Sequence, residues 1–160
     1  YLARMLYAGE DPKFIARRMM ICASEDVSNA DPQALVVATA ASLAVERVGM
    51  PEANLILAQA ATYIASAPKS NSACIAIENA TQYIKEHGAG AVPGHLQDAH
   101  YKGHTELGHG VGYVYPHDYE GHYYKQQYLP DGMEGVHFYE PDPQGYEKTI
   151  LEYLNRIRKQ

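Results

Sequence analysis

Residues 31–68 read DPQALVVATAASLAVERVGMPEANLILAQAATYIASAP, and no charged side chain occurs between Pro32 and Glu46 or between Glu52 and Lys69. Two helices of this composition are apolar nearly all round, which is the signature of helices buried on more than one side. A small bundle cannot enclose two such rods by itself. Something further must cover them: the segment 89–142, a second copy of the chain, or both. Their many alanines would let neighbouring helices approach closely. The faces facing such a neighbour are expected on the helix from Pro32 to Val48 and on the one from Pro51 to Ala67. Leu35, Val36, Leu43, Leu55, Ile56 and Tyr63 are the interface candidates.

Helix starts and stops are well marked on either side of this stretch. Asp11-Pro12 opens a helix through about Asp26, and Asp31-Pro32 repeats the cap-plus-proline start. Gly49 ends the first rod, Pro51 opens the second and Pro68 stops it. Ser70 caps SNSACIAIENATQYIKEH, which Gly88 closes. With YLARML at the start reading as mid-helix, residues 1–88 form a bundle of successive antiparallel helices joined by short loops. A chain that begins in this way is expected to be a fragment of a longer protein.

Beyond Gly88 the helical period fails. All eight histidines lie between His87 and His137, among Gly, Pro and Tyr. Pro93–Leu96 reads as one helical turn. Val111–Tyr115 alternates, and Tyr123–Leu129 with Val136–Tyr139 predict extended pieces, with a hairpin around Asp131-Gly132. The aromatics argue against disorder, so 89–142 is expected as an irregular wrap held by tyrosine rings and hydroxyls. Asp142-Pro143 should cap a last amphipathic helix with Tyr146, Ile150, Leu151, Leu154 and Ile157 on one face. The fold class is therefore mainly α, a helical bundle with a Gly/Tyr/His-rich wrap and a C-terminal helix. Residues 1–88 form the bundle, and residues 89–160 pack on it as one unit.

The net charge of −6 is uneven. Residues 89–141 carry two Lys against seven Asp and Glu, the reverse of a surface that neutralises phosphates. Direct nucleic-acid binding by this chain is disfavoured, and stacking of Tyr123, Tyr124 or Tyr128 on bases with it. No run approaches the ~20 apolar residues of a membrane span, and no signal segment is present, so no membrane partner is expected. Cys22 and Cys74, each among Ala, Ile and Met, read as buried reduced thiols of a cytoplasmic protein.

The sharper chemical readings weaken on inspection. His104-Thr-Glu-Leu-Gly-His109 is one residue too long for a zinc-binding HExxH helix. Ligands five apart point about 140° from each other at about 100° per residue. His117-Asp118 resembles a metal phosphohydrolase dyad, but Pro116 and Gly121 place it in a turn. Lys69-Ser70 lacks the glycines and strand of a phosphate loop. No Ser or Cys nucleophile has a recognisable setting. The residues thus assign no catalytic, cofactor-binding or metal position. His104, His109, His117 and His122 are the candidates were a metal present. A metal-dependent hydrolase built on that cluster is the alternative function, and an adaptor surface for a replication partner is a third.

Several strings taken together, YLARMLYAGEDPKFIARRMMICASEDVSNADPQAL (1–35), AQAATYIASAPKSNSACIAI (58–77), VPGHLQDAHYKG (92–103) and GHGVGYVYPHDYEGHYYKQQYLPD (108–131), resemble the C-terminal region of the replication-associated recombination protein A family, also called RarA or MgsA. Its eukaryotic relative is the Werner helicase-interacting protein. The resemblance covers essentially the whole chain. It implies a clamp-loader-collar-like oligomerisation domain, non-catalytic in itself, of a AAA+ ATPase acting in DNA replication, recombination and repair at stalled forks. It further implies a homotetramer and a nucleoid-associated location. The parent is expected to contact DNA and single-stranded-DNA-binding protein. ATP and Mg would belong to an ATPase region upstream of Tyr1, because the phosphate-loop, Walker B and arginine-finger motifs do not occur here. The histidine spacing around 100–109 departs from the family.

Overall fold

A computed structural model describes residues 1–104 and 106–159. They fall into two compact units: residues 1–78 with 139–155, and residues 79–138 with those from Arg156 on.

The first unit is helical. α1 (Leu2–Tyr7) leads to α2 (Pro12–Cys22), whose start is held by Asp11: its carboxylate accepts the Lys13 N–H at 3.0 Å. The helix expected through Asp26 does continue, but as a π-turn over Ala23–Val27 and a 3-10 turn over Ser28–Ala30. Ala23 and Val27 are both fully buried there. α3 (Gln33–Val48) begins where the Asp31 carboxylate accepts the Gln33 N–H, and it stops at Gly49, whose φ of 74° suits glycine. α4 (Ala53–Ser66) follows.

The inner faces of α3 and α4 share one spacing. Ala34, Ala38, Ala41 and Val45 are buried on α3, and Ala53, Leu57, Ala60 and Ile64 on α4. Positions four, three and four apart line one stripe of a helix. One core cluster joins Ile15, Ala16, Val45, Ala53 and Leu57. A second joins Ala23, Val27, Ala34, Ala38 and Ile64. Leu57 is fully shielded at the centre of the first. Leu57→Ala should therefore lower the unfolding free energy by about 2–5 kcal/mol. Denaturant melts would show this as a lower midpoint at unchanged slope, and a loss below about 1 kcal/mol would mean that this cluster is not close-packed.

The C-terminal end of α4 is closed by Lys69, whose ammonium donates to the carbonyls of Ile64 (2.9 Å), Ala65 and Ala67. A cation on orphan carbonyls also complements the helix dipole. Ser70 is buried; its hydroxyl accepts the Ser72 N–H, opening α5 (Ser72–His87), and its own N–H reaches the Asp26 carbonyl at 2.9 Å.

The last helix starts later than its sequence indicates. α6 runs Glu147–Ile157 rather than from Asp142-Pro143, and Tyr146 is exposed ahead of it. The five residues from 142 to 146 are used for docking instead. Gly145 takes φ 52°, and the Tyr146 N–H donates to the Ala30 carbonyl at 2.7 Å.

The second unit contains the later part of α5 and a chain of turns. Short 3-10 turns cover Gly94–Leu96, Pro116–Asp118 and Glu120–His122. Polar side chains and backbone groups bind one turn to the next: His95 Nε2 pairs with the Gln127 carbonyl at 2.9 Å, and the Gly110 N–H donates to the Gly94 carbonyl at 2.8 Å. The expected hairpin does not form, and no strand occurs among the described residues. Around Asp131-Gly132 the backbone donors close local turns, Met133 N–H to Pro130 and Val136 N–H to Met133. Pro130 has no N–H, and the Leu129 carbonyl is taken by the Gln127 side chain, so no ladder is available.

Candidate functional site

In this chain α3 and α4 each bury one stripe and leave the rest of their circumference open. Val36 (59% exposed), Leu43 (57%) and Leu55 (75%) project from it, with Leu35 and Tyr63 also exposed. Ile56 differs: it is half-buried against the first core cluster. Between the two helices runs a recess of about 250 Å³ lined by Val37, Ala40, Ala41, Ala44, Ile56, Gln59 and Ala60. Only Gln59 among these has a polar side chain. By helical register Val36 and Leu43 flank the recess on α3, Leu55 flanks it on α4, and Tyr63 continues its line. Leu35 sits on the opposite flank of α3, with Thr39 and Glu46.

Gln59 also lines a second recess, of about 440 Å³, with Asp31, Thr62, Tyr63, Ser66, Ala67 and Pro68. There the Tyr63 hydroxyl donates to the Asp31 carboxylate at 2.9 Å. That bond, with some burial and the carboxylate's charge, holds the phenol above its ordinary pKa. The apolar recess thus ends in a polar group fixed between α4 and the start of α3.

The histidine candidates form pairs and not one cluster. His104 Nδ1 donates to the His109 carbonyl at 3.1 Å, and the His109 ring pairs with the Tyr101 hydroxyl. His117 and His122 stand with ring centres 4.9 Å apart. No group of three or more His, Cys, Asp or Glu is arranged to hold a metal among the described residues. Thr105, inside the HTELGH string, lies outside those residues.

Both thiols are free and half-buried rather than fully buried. Burial pushes Cys22 up, and Asp26 adds to this by hydrogen bond and charge; Lys69, a spatial neighbour that sequence did not disclose, opposes it less strongly. Burial and the Glu78 carboxylate push Cys74 up as well. Neither environment favours a thiolate nucleophile.

One group escaped the sequence reading. Glu147 is fully buried; Oε1 accepts from the Tyr139 hydroxyl at 2.6 Å and Oε2 from the Asp142 N–H at 3.1 Å. The Tyr139 oxygen also accepts from Asn29 Nδ2 at 3.4 Å. Burial and then the bond to Glu147 raise the Tyr139 phenol above its ordinary pKa, with Asn29 pulling the other way. A signal existed: Glu147 stands three, four and seven residues before Ile150, Leu151 and Leu154, on the apolar face of α6.

Comparison with known proteins gives the family. Residues 1–158 match the family described as MgsA AAA+ ATPase C terminal. An uncharacterized AAA domain-containing protein of Mycobacterium tuberculosis is 51% identical over 158 residues, covering 99% of this chain and 35% of the relative. The replication-associated recombination protein A of Bacillus subtilis is 44% identical over 160 residues, covering 99% and 38%. The ATPase WRNIP1 of Dictyostelium discoideum is 39% identical over 161 residues, covering 100% and 18%. The chain therefore spans little more than a third of the bacterial relatives named here.

Proposed function

The chain belongs to the MgsA AAA+ ATPase C-terminal family, and from that premise we propose that it is the part that joins copies of the protein. The observation that carries this reading is the α3/α4 face, free of charge between Pro32 and Glu46 and between Glu52 and Lys69, with its alanine-lined recess and the Val36, Leu43 and Leu55 side chains standing beside it. Contiguous exposed apolar surface rimmed by polar groups marks an association site. Large side chains next to a shallow recess form a self-complementary pattern. Across a two-fold axis, each copy can set its leucines against the alanines of the other. The occupant we assign is accordingly a second copy of this chain. A buried area of about 800 Å² per partner is enough for a stable contact.

In the whole protein this contact would hold ATPase modules, as a homotetramer, with nucleotide sites formed between subunits. ATP and Mg would be bound outside this chain. Action on DNA during replication, recombination and repair, contact with single-stranded-DNA-binding protein and a location at the nucleoid belong to the same proposal. Replication and recombination are the words in the relatives' names; the remainder is what the family resemblance implies.

Leu43→Glu combined with Leu55→Glu tests the assignment, because two carboxylates on that face meet their symmetry copies in an apolar contact. We expect sedimentation velocity to show a loss of assembled species, with helical circular dichroism unchanged, since both side chains are exposed in the single chain. The same pair of changes leaving sedimentation unaltered would remove α3 and α4 from the interface.

A further inference from the structure

We propose that His117 and His122 form a two-imidazole site for a borderline divalent cation of the zinc, copper or nickel type. Three separate features of the second unit converge on this pair. The first is distance. A tetrahedral zinc ion holds imidazole nitrogens at about 2.0–2.1 Å, and with roughly 1.1 Å from nitrogen to ring centre, two imidazoles sharing one ion have centres about 5 Å apart. The observed separation is 4.9 Å with the ring planes at 46°, neither a parallel stack nor an edge-to-face pair.

The second feature is the backbone that creates the distance. The 3-10 turns Pro116–Asp118 and Glu120–His122 are separated only by the extended Tyr119, and Gly121 (φ 70°) and His122 (φ 53°) are consecutive left-handed residues. A histidine there is uncommon and costs free energy. Its result is to return the His122 ring to His117.

The third is that these nitrogens are unspent. His87, His95, His100, His104 and His109 each place a ring nitrogen in a hydrogen bond. His117 and His122 have none among the described residues. The Tyr115 ring, centred 5.0 Å from His117, supports that imidazole from the side. Asp118 and Glu120, neighbours of the pair in sequence, are exposed and add negative charge to this stretch of chain. No third protein ligand is in place among the described residues, so water fills the remaining positions and the site is open. Imidazole donors select zinc, copper and nickel over magnesium and calcium, which take oxygen ligands.

Calorimetric titration of Zn²⁺ into the tag-free chain at neutral pH tests the site. One ion per chain is expected, with Mg²⁺ giving no competing isotherm. His122→Asn removes the ring while tolerating the left-handed backbone, and His117→Gln removes the other donor. Each should weaken Zn²⁺ binding by about tenfold or more, the range reached when even a supporting partner of a metal ligand is lost. His100→Gln, whose ring is already bonded to Asp98, should bind as the unaltered chain does. In NMR spectra Zn²⁺ should shift the imidazole signals of His117 and His122 ahead of those of the other histidines. No Zn²⁺ binding by the unaltered chain, equal binding by the His117 and His122 variants, or equal loss in the His100 variant would each overturn the proposal.

Discussion

Gly145→Ala should cost this domain about 4 kcal/mol of stability, from overpacking with the left-handed backbone penalty added. Gly145 holds φ 52°, and a Cβ there would stand 2.1 Å from the Ala30 carbonyl oxygen and 2.7 Å from Pro68 Cγ. The obstacle is backbone on one side and a ring on the other, so neither can swing away. Relief requires moving the chain, which breaks the Tyr146 N–H bond to that same Ala30 carbonyl. For a chain of this size the loss corresponds to a fall of roughly 10 °C in melting temperature. Thermal unfolding followed by circular dichroism measures it. A fall of only a degree or two would show that the 142–146 segment does not dock on Ala30. Alanine at the open, positive-φ Gly132, which meets nothing within 4 Å, serves as the control for backbone strain alone.

Glu147→Ala should cost about 3 kcal/mol, because it strands buried donors. The carboxylate satisfies the Tyr139 hydroxyl and the Asp142 N–H together. Truncation leaves both without an acceptor and opens a void at the start of α6. Glu147→Gln keeps the shape and one acceptor oxygen and should cost less, about 1 kcal/mol. The comparison separates the two contributions. Should Gln prove as damaging as Ala, the negative charge itself is what the site needs. Tyr139→Phe in both backgrounds closes a double-mutant cycle, and coupling above about 0.5 kcal/mol is expected for groups in direct contact.

These two positions also show where sequence reasoning ran out. The helices were legible because their information is local: Asp11, Asp31 and Ser70 at the starts, Gly49 and Gly88 at the stops, and the 3.6-residue period between. The surplus apolar surface of α3 and α4 was legible for the same reason, in that Leu35, Val36, Leu43, Leu55 and Tyr63 are exposed, whereas Ile56 packs half-buried against the core. Asp142-Pro143 misled because it is a good local cap. A contact with Ala30, more than a hundred residues away, claims the intervening turn and delays α6 to Glu147. The hairpin failed on a similar conflict, with Pro130 and the Gln127 side chain withholding the groups a ladder requires. Pairing of His117 with His122 depends on two left-handed residues that no periodicity reveals. The family itself was recognisable only as a resemblance of whole strings, because nothing in the residue chemistry names a reaction.

Static light scattering coupled to gel filtration at micromolar concentration settles whether the α3/α4 face joins copies of the chain. An assembled species with a mass that is a whole multiple of 17.7 kDa, a tetramer foremost, is the expected outcome. A single peak at the mass of one chain, persisting as concentration is raised, would leave Val36, Leu43 and Leu55 open to water and the proposed role without support.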